Sequence, residues 1–405
     1  MHFFHSMGHV IGGTLLIAAT AIGVGMLAMP VATAEAGFLP SVVVYLLCWL
    51  FMLCTGLLFL EACIWMPKDA NLITMVDRLL GFKTKILCWF VYLFLFVTVM
   101  IAHVVGGGSI LREIFGPEIP MWASSIFYVI IFFPVVYLGA RSVDRFNFFL
   151  MAGIIVSYIL FIVFSAGHTN MKLLSYSNWS KALWSLPILF TAFTYQVIVP
   201  TLMSYMNRDV KKVRLSIILG SSIPLVVYLI WEFLILGIVP VQGPHGLVEA
   251  GKLGQTAIAP LKEFTGNRYL FGVSKSFAFF TMTASYIALS LAYFDFLADG
   301  LKIKKEGVRR LWLALLVFLP PTFVALYKPT IFITALDYAG GVSCAILFGI
   351  FPPLMVWVGR YVKNYSRDTQ QLPGGKPLLV LLMLFIVLEL GMEVHKIFLQ
   401  VISNM

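Results

Sequence analysis

Two stretches of this chain set helix-breaking residues in the middle of long apolar runs. The first reads Gly23-Val24-Gly25-Met26 and is followed by Pro30; the second reads Phe193-Thr194-Tyr195-Gln196 and is followed by Pro200. A helix interrupted inside a bilayer frees backbone N–H and C=O groups that hydrocarbon cannot satisfy, so they must face protein or a wet cavity. The half-helix after such a break presents a positive N-terminal end, which attracts a carboxylate. The half-helix before it ends in carbonyls, which attract an ammonium or another cation. Two breaks together can therefore recognise both charged groups of an amino acid with no charged side chain. Taken alone, Gly-x-Gly in a membrane helix reads as close helix packing. Two interruptions at matching positions of the chain are more specific, because they mark the central site of transporters built from inverted halves.

Ionisable groups within the apolar runs are few, and each costs about 2.5–3.5 kcal/mol at the bilayer centre on insertion scales. His103, in the third apolar run, is suited to a ligand hydrogen bond or a proton relay, since unperturbed imidazole titrates near neutral pH. Its alternative is a buried histidine satisfied by a neighbour. Glu61 and Glu232 lie toward the ends of the second and seventh runs and are the other proton-carrying candidates. Asp295 and Asp299 form an i, i+4 pair beside a basic loop and suggest a gate salt bridge or a solvated interface. Glu389 and Glu393, also i, i+4, suit a helix or subunit contact. Among the hydroxyls Thr281, Thr283 and Ser285, we expect Ser285 to line the site; the alternative is a bond to its own helix backbone.

The elements that must position these residues follow from composition. Of the 405 residues, 60% are hydrophobic and 11% charged, against roughly 45–50% and 25% in a soluble domain. Such a chain cannot cover a water-facing globule; it is a polytopic membrane protein embedded in a lipid bilayer. The apolar runs predict eleven spans, near 8–34, 38–66, 86–111, 121–140, 146–167, 183–206, 215–240, 269–299, 310–328, 332–359 and 377–402. Ala32-Thr33-Ala34 resembles a signal-peptidase site, but the preceding run is too long and lacks a basic flank, so it reads as a retained span. The stretch Asn71–Leu80 reads as an amphipathic surface helix, and the long loop 241–267 as a lid or a connector with a helical stretch near Thr256–Phe264. Lys and Arg number 19 in the loops on one side and 8 on the other, which predicts a cytoplasmic N-terminus and an external C-terminus. The five cysteines show no CxxC or paired spacing, so neither a metal centre nor a disulfide framework is expected. The net charge of +10 is accounted for by the basic loops, and no nucleic-acid partner is expected. No hydrolase, zinc or phosphate-loop motif is present, so no enzyme and no cofactor is expected.

At these residues the chain resembles the hydroxy/aromatic amino acid permeases, the bacterial tyrosine and tryptophan carriers of the amino acid–polyamine–organocation superfamily. The resemblance runs nearly end to end, through Gly23–Pro30, Leu186–Tyr205, Gly220–Glu232, Phe294-Asp295-Phe296-Leu297-Ala298-Asp299, Phe318-Leu319-Pro320-Pro321 and Tyr338-Ala339-Gly340. It implies one transmembrane domain with a LeuT-like fold, two inverted five-helix repeats (8–167 and 183–359) and an additional helix (377–402). It also implies proton-coupled import of an aromatic amino acid, tyrosine favoured over tryptophan, with sodium the less expected ion. Gly23, Val24, Gly25, Met26, His103, Phe193, Thr194, Tyr195, Gln196 and Ser285 would then bind substrate, Phe193 and Tyr195 walling its side chain. The chain departs from the family pattern at Thr194-Tyr195-Gln196 in place of Gly-Phe-His, at His103 in place of tyrosine, and at Asp337 in place of glycine. The rival expectations are a sodium-coupled or exchanging carrier of another neutral amino acid, and a non-transporting sensor or enzyme on the same scaffold.

Overall fold

The computed structural model describes residues 2–68, 70–116 and 118–403. Among the described residues, ten helical segments are long and apolar enough to cross a membrane, and a bent pair makes an eleventh when counted as one span. The bent pair comes first: α1 (His2–Ala21) and α2 (Val24–Thr33) meet at 54°. There follow α3 (Phe38–Ile64), the short α4 (Leu72–Leu80), α5 (Phe82–Phe115), α6 (Met121–Leu138), α7 (Ala140–Ser165) and the one-turn α8 (Met171–Leu174). The second interrupted crossing is α9 (Leu186–Phe193) with α10 (Val199–Tyr205), after which comes α11 (Val210–Ile238). The long loop carries α12 (Leu247–Lys252) and α13 (Leu261–Thr265) and leads to α14 (Arg268–Gly300) and α15 (Gly307–Tyr327). The next crossing is α16 (Phe332–Tyr338), a π-helical stretch over Ala339–Ile350, and α17 (Phe351–Tyr361); α18 (Gly375–Ser403) is last.

Every expected span has its helix, but the boundaries move. α5 exceeds the expected 86–111 at both ends, because the reading stopped at charges that a helix in the interface tolerates. Lys85 there pairs with Asp77 of α4 at 2.7 Å and keeps its ammonium half-exposed, while its stem lies along the helix. α4 forms as expected: the Asn71 side chain accepts the Thr74 N–H at 3.0 Å, and Leu72, Met75, Val76 and Leu79 turn inward. The helical stretch expected near Thr256–Phe264 forms in its last part only, as Leu261–Thr265, because Pro260 has no N–H and disfavours helix in the residue before it; a second short helix lies earlier, at Leu247–Lys252. The intervening backbone is tied down by a hydrogen bond from Ala257 N–H to the Leu27 carbonyl at 3.1 Å, which lays the loop against α2.

Burial sorts the helices into an inner and an outer set. Two-thirds of the apolar window is buried in α5, in the α9–α10 crossing and in the α16–α17 crossing (67% each), against 28% in α6, α7 and α18. The outer set presents Phe127, Ile130, Phe148, Phe149, Val163, Leu384 and Leu388 outward. In water such a surface would be an aggregation hazard; against lipid it is the expected face of a bundle. The broken helices lie inside, α2 packed on α9, α11 and α12, and α9 on α3 and the π-helical stretch.

Candidate functional site

Both breaks form where the sequence places them. Gly23, between α1 and α2, has extended backbone (φ −155°, ψ −151°), and no side chain caps the N-terminus of α2. Thr194 and Tyr195 are likewise non-helical, and a 3-10 turn over Gln196–Ile198 leads into α10 with Pro200 in its first turn, where its missing N–H costs nothing. The breaks touch. A Cβ added to Gly25 would stand 2.8 Å from Ala192 Cα and 3.1 Å from Ala192 N. Gly25 is thus the point where the α2 backbone meets α9, not an open floor for a ligand, and what it can offer a ligand is its N–H. Val24 and Met26 beside it are buried.

Gly23 adjoins α14: a Cβ there would meet Ser285 Cβ at 3.2 Å. Ser285 Oγ lies 2.7 Å from His103 Nε2, and His103 Nδ1 lies 2.8 Å from the Val99 carbonyl. A carbonyl can only accept, so Nδ1 carries a proton; the Ser285 hydroxyl also lies 2.9 Å from the Thr281 carbonyl of its own helix, so its one proton is shared between that carbonyl and Nε2. The structure therefore brings Gly23, His103 and Ser285 together around the first break. Of the other hydroxyls on α14, Thr283 meets Tyr128 at 3.4 Å. Thr281 Oγ1 is buried without a partner.

At the second break Phe193 is enclosed by aromatic rings, meeting Tyr45 at 6.3 Å and Tyr228 at 5.1 Å, both edge-on. Tyr195, expected to wall the pocket, and Gln196, expected to contact substrate, both turn to α3 instead, which is a correction. The Tyr195 hydroxyl donates to the Met52 carbonyl of α3 at 3.1 Å, and Gln196 Nε2 reaches Thr55 Oγ1 at 3.2 Å and the same carbonyl at 3.3 Å. Gln196 Oε1 accepts the Tyr195 N–H at 3.0 Å, satisfying a donor that the break has freed. A Cβ on Gly56 would strike the Tyr195 hydroxyl, so that glycine makes room for the ring. These two side chains brace the break against α3. Thr194 donates to its own helix at Phe190, 2.6 Å away, and stays partly exposed among buried neighbours, as does Ser285.

α11 supplies groups that the sequence reading only half found. Tyr228 is fully buried and its hydroxyl donates to Ala21 at 2.7 Å and Ala192 at 3.0 Å. One turn on, Glu232 Oε2 accepts from Tyr45 at 2.7 Å, and Oε1 lies 2.5 Å from the Thr33 hydroxyl at the end of α2. Thr33 Oγ1 is also 2.8 Å from the Met29 carbonyl. A threonine has one proton for these two acceptors. A proton on Glu232 resolves the conflict: the acid donates to Thr33, and Thr33 donates to Met29. The i, i+4 pair of polar residues in an apolar run was the sequence signal for Tyr228.

The remaining acids are engaged elsewhere. Glu61 takes a bidentate contact from Arg360 (Nε–Oε1 2.6 Å, Nη2–Oε2 2.7 Å) and the Gln371 N–H at 2.9 Å. It ties α3 to α17, so the structure removes it from the proton-carrying candidates. Asp295 and Asp299 both face Lys305, at 2.7 and 3.9 Å, in an exposed local bridge at the end of α14. It joins no second bundle, so the gate expectation is corrected to a solvated interface. Lys396 bridges Asp337 and Glu393, joining α18 to the α16–α17 crossing, while both oxygens of Glu389 are buried without a hydrogen-bond partner. The described residues hold no His/Cys/Asp/Glu group suited to a metal.

Two broken helices meeting inside an apolar bundle, lined by backbone, aromatic rings and a few buried acids, define a multi-span membrane carrier. Over 94% of this chain and 98% of the other, the structure superposes on a crystal structure of MhsT in complex with L-phenylalanine, with a TM-score of 0.70 at 14% identity. That match supports the LeuT-like fold. Residues 7–393 match the Tryptophan/tyrosine permease family. A tryptophan-specific transport protein of Pseudomonas aeruginosa is 31% identical over 386 residues, covering 93% of this chain and 92% of that one. The tyrosine-specific transport system 1 of Haemophilus influenzae is 28% identical over 394 residues, covering 96% of each. The chain belongs to the tryptophan/tyrosine permease family, a family of transporters and not of enzymes.

Proposed function

We propose that this protein imports an aromatic amino acid, tyrosine in preference to tryptophan, by proton symport with alternating access. The observation that carries the reading is the meeting of the two breaks beside the aromatic enclosure of Phe193. The uncapped N-terminus of α2 suits the substrate carboxylate, and freed carbonyls at the breaks suit its amine. Phe193 supplies a ring edge for an aromatic side chain. Thr194 and Ser285, partly exposed hydroxyl residues at the breaks, suit the lining of the space between. The carried names of the relatives, tryptophan- and tyrosine-specific, and the phenylalanine of MhsT support an aromatic substrate.

In this reading residues 8–167 and 183–359 are the two inverted repeats, 377–402 is an added helix, and one helix bundle rocks against the other around the breaks. Glu232 is the proton carrier, because it is a buried acid held by hydroxyls alone, and a proton on it would free the Thr33 hydroxyl to donate to Met29. His103 positions Ser285 at the first break. The test is initial-rate uptake of radiolabelled tyrosine, tryptophan, phenylalanine and leucine by proteoliposomes under imposed pH or sodium gradients. Tyrosine uptake driven by an inward proton gradient is the expected result; uptake led by leucine, or driven by sodium alone, would contradict it.

The 19-to-8 excess of basic residues places the loops after the even-numbered spans in the cytoplasm. Reporters fused after Gln371 and at the end of the chain should accordingly report opposite compartments. The same compartment for both would break the eleven-span topology.

A further inference from the structure

The Tyr228 hydroxyl occupies the place where the two broken helices end. It is 2.7 Å from the carbonyl of Ala21, the last residue of α1, and 3.0 Å from that of Ala192, in the final turn of α9. Both carbonyls belong to half-helix C-termini, where the partial negative charge of aligned peptide dipoles collects. Two such ends converging in a bilayer repel each other and favour a cation between them. Here a neutral hydroxyl stands there, sharing one proton between two acceptors, on a side chain with no exposed surface. Water therefore has no access by which to replace it.

We propose that Tyr228 is the positioning residue that holds the two breaks in register, its hydroxyl proton doing at this convergence what a cation would otherwise do. The proposal rests on the reading that the breaks form the substrate site. Three further features fit it. The Tyr228 ring packs edge-on against Phe193 at 5.1 Å, so the hydroxyl that ties the breaks also fixes the aromatic wall beside them. Glu232 lies one turn along the same helix and engages Thr33 at the far end of α2, so α11 holds the broken first span at the end of α1 and at the end of α2. Pro224 lies one turn before Tyr228 within α11, and the backbone bond it removes is a natural point for that helix to bend. A shift of α11 would thus register at both breaks at once.

The test compares the wild type with Tyr228→Phe, a change that keeps the ring and removes only the donor. Uptake of radiolabelled tyrosine is measured in proteoliposomes with sodium present or replaced by N-methylglucamine. Backbone hydrogen exchange is measured on the purified proteins. The wild type should show equal initial rates in both buffers. Tyr228→Phe should insert and elute as the wild type does, with KM raised about tenfold, the scale of one buried donor lost from two acceptors, and a smaller fall in maximal rate. Exchange should quicken at Ile22–Met26 and at Phe193–Gln196 together. An unchanged KM, or exchange that stays the same or quickens at one break alone, would overturn the latch. A sodium requirement in the wild type would overturn the replacement of a cation, and that arm needs no variant to fold. Failure of the wild type to carry any aromatic amino acid would sink the substrate assignment instead, while the exchange measurement still decides the latch.

Discussion

Replacing Gly25 with leucine should bring uptake to background while leaving membrane insertion intact. The atoms facing position 25 are Cα, Cβ and N of Ala192, all fixed by the backbone, so no side-chain rotation can relieve the contact. A Cβ alone would stand at 2.8 Å, against the 3.4 Å at which ordinary van der Waals contact begins, and leucine adds three more carbons beyond it. Overpacking a close contact costs about 1–3 kcal/mol in a soluble core, and here the strain falls on the spacing of the two breaks. At 1.4 kcal/mol per tenfold, 3 kcal/mol confined to the competent geometry is roughly a hundredfold loss. Insertion depends on the apolarity of the first span, which leucine raises, so the protein should still reach the membrane. Gly23→Ala provides the graded control. Its Cβ would meet Ser285 Cβ at 3.2 Å, a milder approach than the 2.8 Å at position 25, so a shift of a few tenths of an ångström would relieve it. Partial uptake by Gly23→Ala and none by Gly25→Leu is the expected pattern, measured as initial rates normalised to protein in the bilayer. Wild-type kinetics in a well-inserted Gly25→Leu protein would show that the two backbones need not touch during transport.

What was legible in the sequence was local. Gly23, Gly25, Pro30 and Pro200 cannot sit comfortably in unbroken helix, so both interruptions could be placed to within a residue or two. Apolar runs located the spans for the same reason, since each residue reports its own transfer cost. The direction in which a side chain leaves a break depends on what other helices bring to it, and no local pattern carries that. Their place at the break suggests a pocket wall for Tyr195 and a substrate contact for Gln196. They face Met52 and Thr55 because Gly56 opens a slot for the tyrosine on α3. Glu61 looked like Glu232, a lone acid near the end of a span. Only the fold shows that Arg360, about three hundred residues away in sequence, reaches one and not the other. The π-helical stretch at Ala339–Ile350 had no sequence signal beyond its glycines; it sits where Gly340 comes against the Pro187 carbonyl of α9.

Glu232→Gln should separate substrate recognition from coupling. Glutamine keeps the shape of a protonated glutamate: its carbonyl can accept from Tyr45, and its amide can donate to Thr33, which then donates to Met29 as in the protonated acid. The network should therefore remain closed and the broken first span stay anchored. What glutamine cannot do is release and rebind a proton. Exchange of internal for external tyrosine should persist at a near-normal rate, because that partial reaction does not require the proton to leave. Accumulation driven by an inward proton gradient should fall about tenfold or more, and the pH dependence of net uptake should flatten. No ion pair reaches Glu232 among the described residues, and the polar groups around it are Thr33, Ser41 and Tyr45. No neighbouring salt bridge therefore stands ready to substitute for the lost titration. His103→Gln is the companion measurement. His103 contacts Val99 and Ser285 through its two nitrogens, and an amide can restore the contact to Ser285, so this variant should keep its response to the gradient while its KM rises modestly. The opposite pattern, with gradient response lost in His103→Gln and kept in Glu232→Gln, would move the proton from the α2–α11 junction to the first break itself.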